Sequence, residues 1–319
     1  MSLYIFKMAA NVTKKREDYW NLQIHYFSKN NTDTQLQMQP RTDYNSINYN
    51  IVVPCQKLQP YIVHYWTLQI AAEVGRWHER TLPNGCVSWF FHRRNPLLFG
   101  NRSQQSQALV RGQDFSFVDV CTQGETDFIA VVFRPFAAHL FMPHSANDFS
   151  NQMIDIEQLD DKRLTILAQK IEESDSNLKA IELIETELIN RLTNVKQNVA
   201  SNAKRVEYAV QLINNEPSIN IGRLAQQTCV SERQLRRLFA EHVGLSPQEL
   251  VRVARFNQAM LLMLNNPTWA FVDIALELNY TDSAHFSHDI KQFTGCAPTQ
   301  FNSKCRPYSE FFTCPTINS

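Results

Sequence analysis

The sequence predicts an α+β chain in which a β-rich, barrel-like N-terminal domain precedes an all-α domain with two helix-turn-helix units. Three observations carry that expectation. Short β-branched and aromatic runs recur between residues 46 and 135. After Pro135 they give way to helix formers with apolar residues at steps of three and four. The last third of the chain then repeats itself, Gly244 and Pro247 returning as Gly295 and Pro298.

The strand-like runs are Ile51-Val52-Val53, Tyr61 to Ile70, Cys86 to Phe91, Phe115 to Val120 and Phe128 to Phe133. Pro83-Asn84-Gly85 separates two of them with turn chemistry, because Asn and Gly tolerate positive φ. Many short strands in series suggest a barrel or sandwich over residues 46–158. Residues 1–45 are rich in Asn, Gln, Thr and Lys without a sustained period, and read as a poorly ordered lead-in.

Residues 160–195 hold no Gly or Pro, and Ile181, Ile184, Leu188 and Leu192 fall on one helix face. That stripe either packs on its own domain or pairs with the same helix of a second copy of the chain. Val195 to Ala203 is polar and reads as a linker. The organisation expected is therefore a helical segment and linker over 159–200, an all-α domain over 201–305, and a tail over 306–319.

Each copy of the repeat has helix-turn-helix logic. In the first, Leu224 and Ala225 lie on one face of a short helix and Thr228-Cys229-Val230 makes the turn. Ser231 caps the next helix, with Gln234 in capping-box position. That helix buries Leu235, Leu238 and Phe239 and ends at Gly244. In the second copy, Ile274, Ala275 and Leu278 form the first helix and Asn279-Tyr280-Thr281 the turn. Asp282 or Thr281 caps a helix that buries Phe286, Ile290 and Phe293. Leu224 and Ile274 stand 50 positions apart and Gly244 and Gly295 stand 51 apart, so the second copy holds one inserted residue at its turn. Between the copies a long helix runs from about Pro247 to Asn265, with Leu250, Val253, Ala254, Ala259, Leu261 and Leu264 as packing residues. A rigid connection of that kind sets two second helices into successive major grooves, roughly 34 Å apart.

Composition bounds the rest. The chain is 44% hydrophobic and has no apolar run of the length, about 20 residues, that spans a membrane. The seven cysteines are scattered without a C-x-x-C pair, which argues against a disulfide framework or structural zinc and fits a reducing cytoplasm. Net charge is zero, and residues 201–319 carry only 11 basic against 10 acidic side chains, so global charge neither supports nor excludes a polyanionic partner.

The stretch from Leu224 to Phe301 resembles the DNA-binding domain of the bacterial AraC-type transcription regulators. Ile274-Ala275, Asn279-Tyr280, Phe286-Ser287 and Gly295-x-x-Pro298 carry the resemblance. Positions usually basic and apolar hold His288 and Asp289 here. Leu82-Pro83-Asn84-Gly85 and Phe133-Arg134-Pro135 resemble, less specifically, N-terminal domains attached to such regulators. The resemblance implies sequence-specific binding to double-stranded DNA and a sensor role for the N-terminal domain. Expected partners are then DNA, a small-molecule effector, RNA polymerase and a second copy of the chain. It also places base-contacting positions at Arg233, Arg236 and Arg237 in the first unit and at Ser283, Ala284, Ser287 and His288 in the second.

Arginine can fork to guanine or to phosphate, so the first helix is the stronger reader expected. Arg252 and Arg255 on the linking helix are candidate phosphate contacts. Asp289 is expected to repel phosphate. Trp66, Trp77 and Trp89 are candidates for an effector pocket, or core. His64, His78, His92, His139 and His144 lack the close spacing of a metal site, so no metal and no cofactor is expected. The alternatives are an architectural DNA-binding protein without a ligand and an enzyme domain fused to a DNA-targeting module. No nucleophile-base pair supports the second.

Overall fold

A computed structural model describes residues 47–100, 106–266 and 268–300. The lead-in expected over 1–45 and the tail expected over 306–319 lie outside the described residues, as does Phe301. Among the described residues nine strands form two antiparallel sheets. The larger joins β1 (Ile47–Val52), β2 (Ile62–Ile70), β8 (Thr126–Phe133), β4 (Ser88–His92), β6 (Ala108–Arg111) and β9 (Met153–Asp155), in that spatial order. The smaller joins β3 (His78–Thr81), β7 (Val118–Cys121) and β5 (Leu98–Phe99).

The sheets face each other without closing into a single barrel. β3, β5 and β7 are only two to four residues long and pair among themselves. The Asn84-Gly85 turn forms as expected, with Gly85 at φ 73° and the Asn84 side-chain oxygen accepting from the Cys86 N–H at 2.9 Å. It carries the chain from the small sheet to the large one.

Side-chain alternation gives the large sheet two different faces. Trp66, Leu68, Phe90, Phe128 and Ala130 meet Leu97, Phe99 and Val120 between the sheets. Tyr65, Trp89, Phe91, Ile129, Val131 and Phe133 turn the other way, toward the helices. Burial on both sides explains why β8 reads as an unbroken apolar run.

Helices α1 (Ala138–Phe141), α2 (Lys162–Glu172) and α3 (Asn177–Leu192) cover that second face. The expected stripe lies on α3, where Ile184 and Leu188 are wholly buried, Ile181 nearly so, and Leu192 partly. It packs on its own chain and offers no surface to a second copy. Polar side chains reinforce the docking. Glu185 accepts from the Cys55 N–H at 2.7 Å and the Tyr65 hydroxyl at 3.2 Å, and Arg191 donates to both Asp161 oxygens.

From Gln197 onward, the linker expected over Val195 to Ala203 is instead the first two turns of α4 (Gln197–Asn215). Val199, Ala203, Val206, Val210 and Ile213 step by four and three along it and pack into the core. Polar neighbours hid that seam. One apolar cluster, separate from the one between the sheets, therefore runs from Leu58 to Cys296, and the N-terminal and C-terminal parts are packed together. Cys55, Cys86, Cys121 and Cys229 are free thiols, whereas Cys296 takes part in a disulfide, a departure from the reading of scattered thiols. Among the described residues no helix is long and apolar enough to cross a membrane.

Candidate nucleic-acid interface

Both helix-turn-helix units form as the repeat predicts. In the first, α5 (Ile221–Gln227) turns at Cys229 into α6 (Glu232–His242). In the second, α8 (Phe271–Glu277) turns at Asn279 into α9 (Ser283–Thr294). Cys229 and Asn279 both take the left-handed conformation, at φ 56° and 54°. Each turn closes with the same backbone bond, Val230 N–H to Ala225 O at 3.1 Å and Tyr280 N–H to Ala275 O at 2.9 Å. The caps follow at Ser231 and Asp282. The spacing thus grows by one residue between the turn and the cap, where the sequence placed the insertion.

The caps are local and chemical. Ser231 Oγ accepts from the Gln234 N–H at 3.2 Å, and Asp282 Oδ1 accepts from the His285 N–H at 2.7 Å. Linking helix α7 spans Pro247–Asn265 as expected, opened by a Ser246–Glu249 capping box with Pro247 in its first turn. Leu250, Val253, Ala254 and Ala259 are buried on it, and so are Phe256 and Met260, which the sequence reading missed.

On α6, Leu235, Leu238 and Phe239 point inward while Arg233, Arg236 and Arg237 are exposed on the other side. Arg236 pairs with Glu232 at 3.1 Å and Arg237 with Glu241 at 3.4 Å, one helical turn away in each case. Exposed pairs of that spacing contribute only about 0.3–0.5 kcal/mol. A phosphate or a guanine edge can displace them.

On α9, Ser283, Ala284 and His288 are exposed and Ser287 half-buried. Lys291 extends the same face, three and four residues beyond His288 and Ser287, and is exposed. Sequence reasoning passed over it, although its spacing from Ser287 and His288 was the available signal.

The linking-helix arginines are placed differently from the expectation. Arg252 Nη2 donates to Asp289 Oδ1 at 2.7 Å and to Gln292 Oε1 at 2.8 Å, and its guanidinium lies over the Phe293 ring. Arg255 donates to the Pro217 carbonyl and lies over Tyr280. Both hold helices together. Asp289 is 1% exposed, so it is an interior partner of Arg252 and not a surface acid facing phosphate. Burial, and next the Asp289 carboxylate, push the Tyr280 phenol up.

The N-terminal domain grips the C-terminal ends of both second helices. The Ser145 hydroxyl donates to the Ala240 carbonyl at 3.2 Å, and the Ser150 hydroxyl to the Gly244 carbonyl. Arg80, held by Asp119 and stacked on Phe117, donates to the Thr294 carbonyl at 3.1 Å. Helix-turn-helix proteins read bases with the N-terminal part of this helix, so the grip leaves Arg233, Arg236 and Arg237 open to solvent.

The three tryptophans do not converge. Trp66 and Trp89 stand on opposite faces of the large sheet, each packed edge-on against a phenylalanine, Phe128 at 4.8 Å and Phe133 at 4.9 Å. Trp77 is partly buried on the Trp66 side. The space between the sheets also holds Glu79, which burial pushes up to about 8.

Two domain families match the sequence, a domain of unknown function (DUF6597) over residues 50–155 and a helix-turn-helix domain over residues 224–304. The chain is 28% identical over 177 residues to the arabinose operon regulatory protein of Escherichia coli (strain K12), which covers 54% of this chain and 55% of that protein. It is 27% identical over 121 residues to the HTH-type transcriptional regulator ArgR of Pseudomonas aeruginosa, covering 37% and 36%. The chain thus spans about half, or less, of the length of these curated relatives. A solved structure of ToxT from Vibrio cholerae aligns with 80% of this chain and 97% of its own, at 10% identity and a TM-score of 0.40.

Proposed function

We propose that this chain, whose residues 224–304 are a helix-turn-helix domain of the AraC type, is a transcription regulator that binds double-stranded DNA sequence-specifically in the cytoplasm, and is not an enzyme. The observation that supports it most is the outward face of α6. Three arginines stand on a helix whose opposite side is locked into the core, with its N-terminal end free of the N-terminal domain. A bidentate arginine contact discriminates bases by roughly 1–3 kcal/mol. The second unit adds Ser283, Ser287, His288 and Lys291 as weaker contacts that position the protein.

The test uses the full chain, because α4 runs across the boundary at residue 200 and a fragment cut there would remove its first turn. A randomised duplex pool is carried through rounds of binding, and the enriched sequence is measured by anisotropy at fixed salt. Enrichment of a defined site, bound at least about a hundredfold tighter than random duplex, is expected. Protein–DNA pairs of this kind commonly exceed a thousandfold. An unenriched pool would remove the reading.

The N-terminal domain acts in this proposal as the sensor of a small molecule. Its direct hydrogen bonds to the ends of α6 and α9 support that role, since any shift on binding reaches both helices without an intervening linker. Compounds that raise the melting temperature of the chain should also change its affinity for the selected site. Stabilising compounds that leave DNA affinity untouched would argue for a DNA-binding protein without a signal.

A further inference from the structure

Where α6 ends against α1, three donor side chains meet. His139 on α1 and Glu241 and His242 on α6 each place a ligand-type atom within 4.8 Å of the others. They come from the two halves of the chain, about a hundred residues apart, which is why no spacing motif announced them.

His242 is the telling residue. Its side chain is wholly buried, and neither ring nitrogen has a hydrogen-bond partner at bonding geometry. The Phe136 backbone stands beside one ring nitrogen as a hydrogen-bond partner of longer geometry, which leaves the other nitrogen for an ion.

His139 is prepared in the complementary way. Its Nδ1 lies 2.8 Å from the His144 carbonyl oxygen, and a carbonyl only accepts, so Nδ1 carries the proton. Nε2 faces Glu241 Oε1 at 3.5 Å, and is the nitrogen that would offer its lone pair to an ion held there. That is longer than a charge-assisted hydrogen bond, about 2.7–2.9 Å. It matches the edge of a tetrahedron with metal bonds of about 2.0–2.1 Å, close to about 3.4 Å. A backbone carbonyl holding the far nitrogen of a ligating histidine is also the usual outer arrangement of such sites. The two histidine rings stand nearly perpendicular, 4.8 Å apart. Arg237 competes for the other Glu241 oxygen at 3.4 Å, leaving one oxygen for each.

We propose that His139, Glu241 and His242 bind a divalent transition-metal ion of the zinc class, with water in the fourth position. Two imidazoles and one carboxylate favour zinc over magnesium or calcium, which prefer all-oxygen sites. The ion staples the C-terminal end of α6 to the N-terminal domain. This site goes beyond the DNA-binding reading and stands or falls without it.

The experiment takes the full chain, strips it with chelator, and titrates zinc against a chromophoric competitor and cobalt(II) by visible absorbance. One zinc per chain and the intense cobalt band of four-coordination are expected. His139→Gln and Glu241→Gln should each weaken zinc binding about a hundredfold, because even outer-shell changes cost 10–100-fold. Both residues are partly exposed, so both variants should keep the far-ultraviolet dichroism and metal-free melting temperature of the parent. Absence of stoichiometric zinc binding overturns the site. So does parental affinity in both variants, which would place the metal on other ligands.

Discussion

The first helix-turn-helix unit turns three arginines of α6 outward, whereas the second turns Ser283, Ser287, His288 and Lys291 outward on α9 and draws Asp289 inward onto Arg252. The helices, turns and caps are otherwise superimposable in sequence logic. One scaffold thus holds its charge at the surface in one copy and in the interior in the other. The lesson is that a repeat conserves backbone chemistry, such as caps and positive-φ turn residues, more faithfully than it conserves what each face offers. The N-terminal domain also meets the two ends differently, through the Ala146 backbone and the Ser145 and Ser150 hydroxyls at α6 and through the side chains of Arg80 and Phe117 at α9.

The largest effect should come from breaking the interior pair of the second unit. Arg252→Ala leaves a carboxylate 1% exposed without its cation. Removing one member of a buried pair costs about 3–5 kcal/mol, and the 33% exposure of the Arg252 side chain points to the lower end, about 3 kcal/mol. Asp289→Leu leaves Arg252 able to reach water and should cost clearly less in denaturant unfolding. Equal losses would show that packing on Phe293, and not the buried charge, is what Arg252 contributes.

Next in size is the pair of matched glycines, Gly244 and Gly295, at φ 80° and 75°. An alanine at either carries the left-handed penalty, about 1–2 kcal/mol. At Gly244 the new Cβ would also stand 2.6 Å from the Ala146 carbonyl oxygen, which is backbone and cannot swing away. At Gly295 it would meet the Phe117 ring and the Arg80 guanidinium at 2.6 to 2.8 Å, side-chain ends that can move. Gly244→Ala should therefore lower the melting temperature more than Gly295→Ala. The reverse order would mean that the Arg80–Phe117 grip on α9 is the stiffer of the two.

The smallest effects, and the most direct for function, are on DNA affinity. Arg236→Ala or Arg237→Ala should weaken binding to the selected site at least about tenfold, roughly 1.4 kcal/mol, and relax specificity in one half of it. Ser283→Ala, Ser287→Ala and His288→Ala should each cost less. Lys291→Ala should weaken all sequences alike and reduce the salt dependence by about one ion. Larger losses from α9 than from α6 would assign the dominant reader to the second unit.

Legibility in the sequence tracks distance along the chain. The α7 limits, the cap at Ser231 and the turn at Asn279 were readable, and Asp282 was one of two cap candidates, each depending on residues within one turn of itself. The β8 run was readable as a strand, but not as the strand buried on both faces. Arg236 and Arg237 came from the resemblance, and the structure exposes both opposite Leu235, Leu238 and Phe239. The reading of Asp289 as a surface acid failed because its partner lies 37 residues earlier on another helix. The linker over Val195 to Ala203 failed because a narrow apolar seam among polar residues only becomes a helix face when a core stands opposite.

What the sequence alone determined is where elements begin and end and which of their faces are apolar, since capping, turn conformation and periodicity are local properties of a few neighbouring residues. It could not determine what each apolar face meets. Burial is non-directional and rewards any partner that excludes water. The Ile181–Leu192 stripe fitted a second copy as well as its own domain until the topology put α1 and α2 against it. Only the tertiary structure set Trp66 and Trp89 on opposite sides of one sheet, joined Arg252 to Asp289, and brought His139 within reach of His242. Those meetings depend on how distant segments cross, and nothing in the residues flanking either partner encodes the crossing.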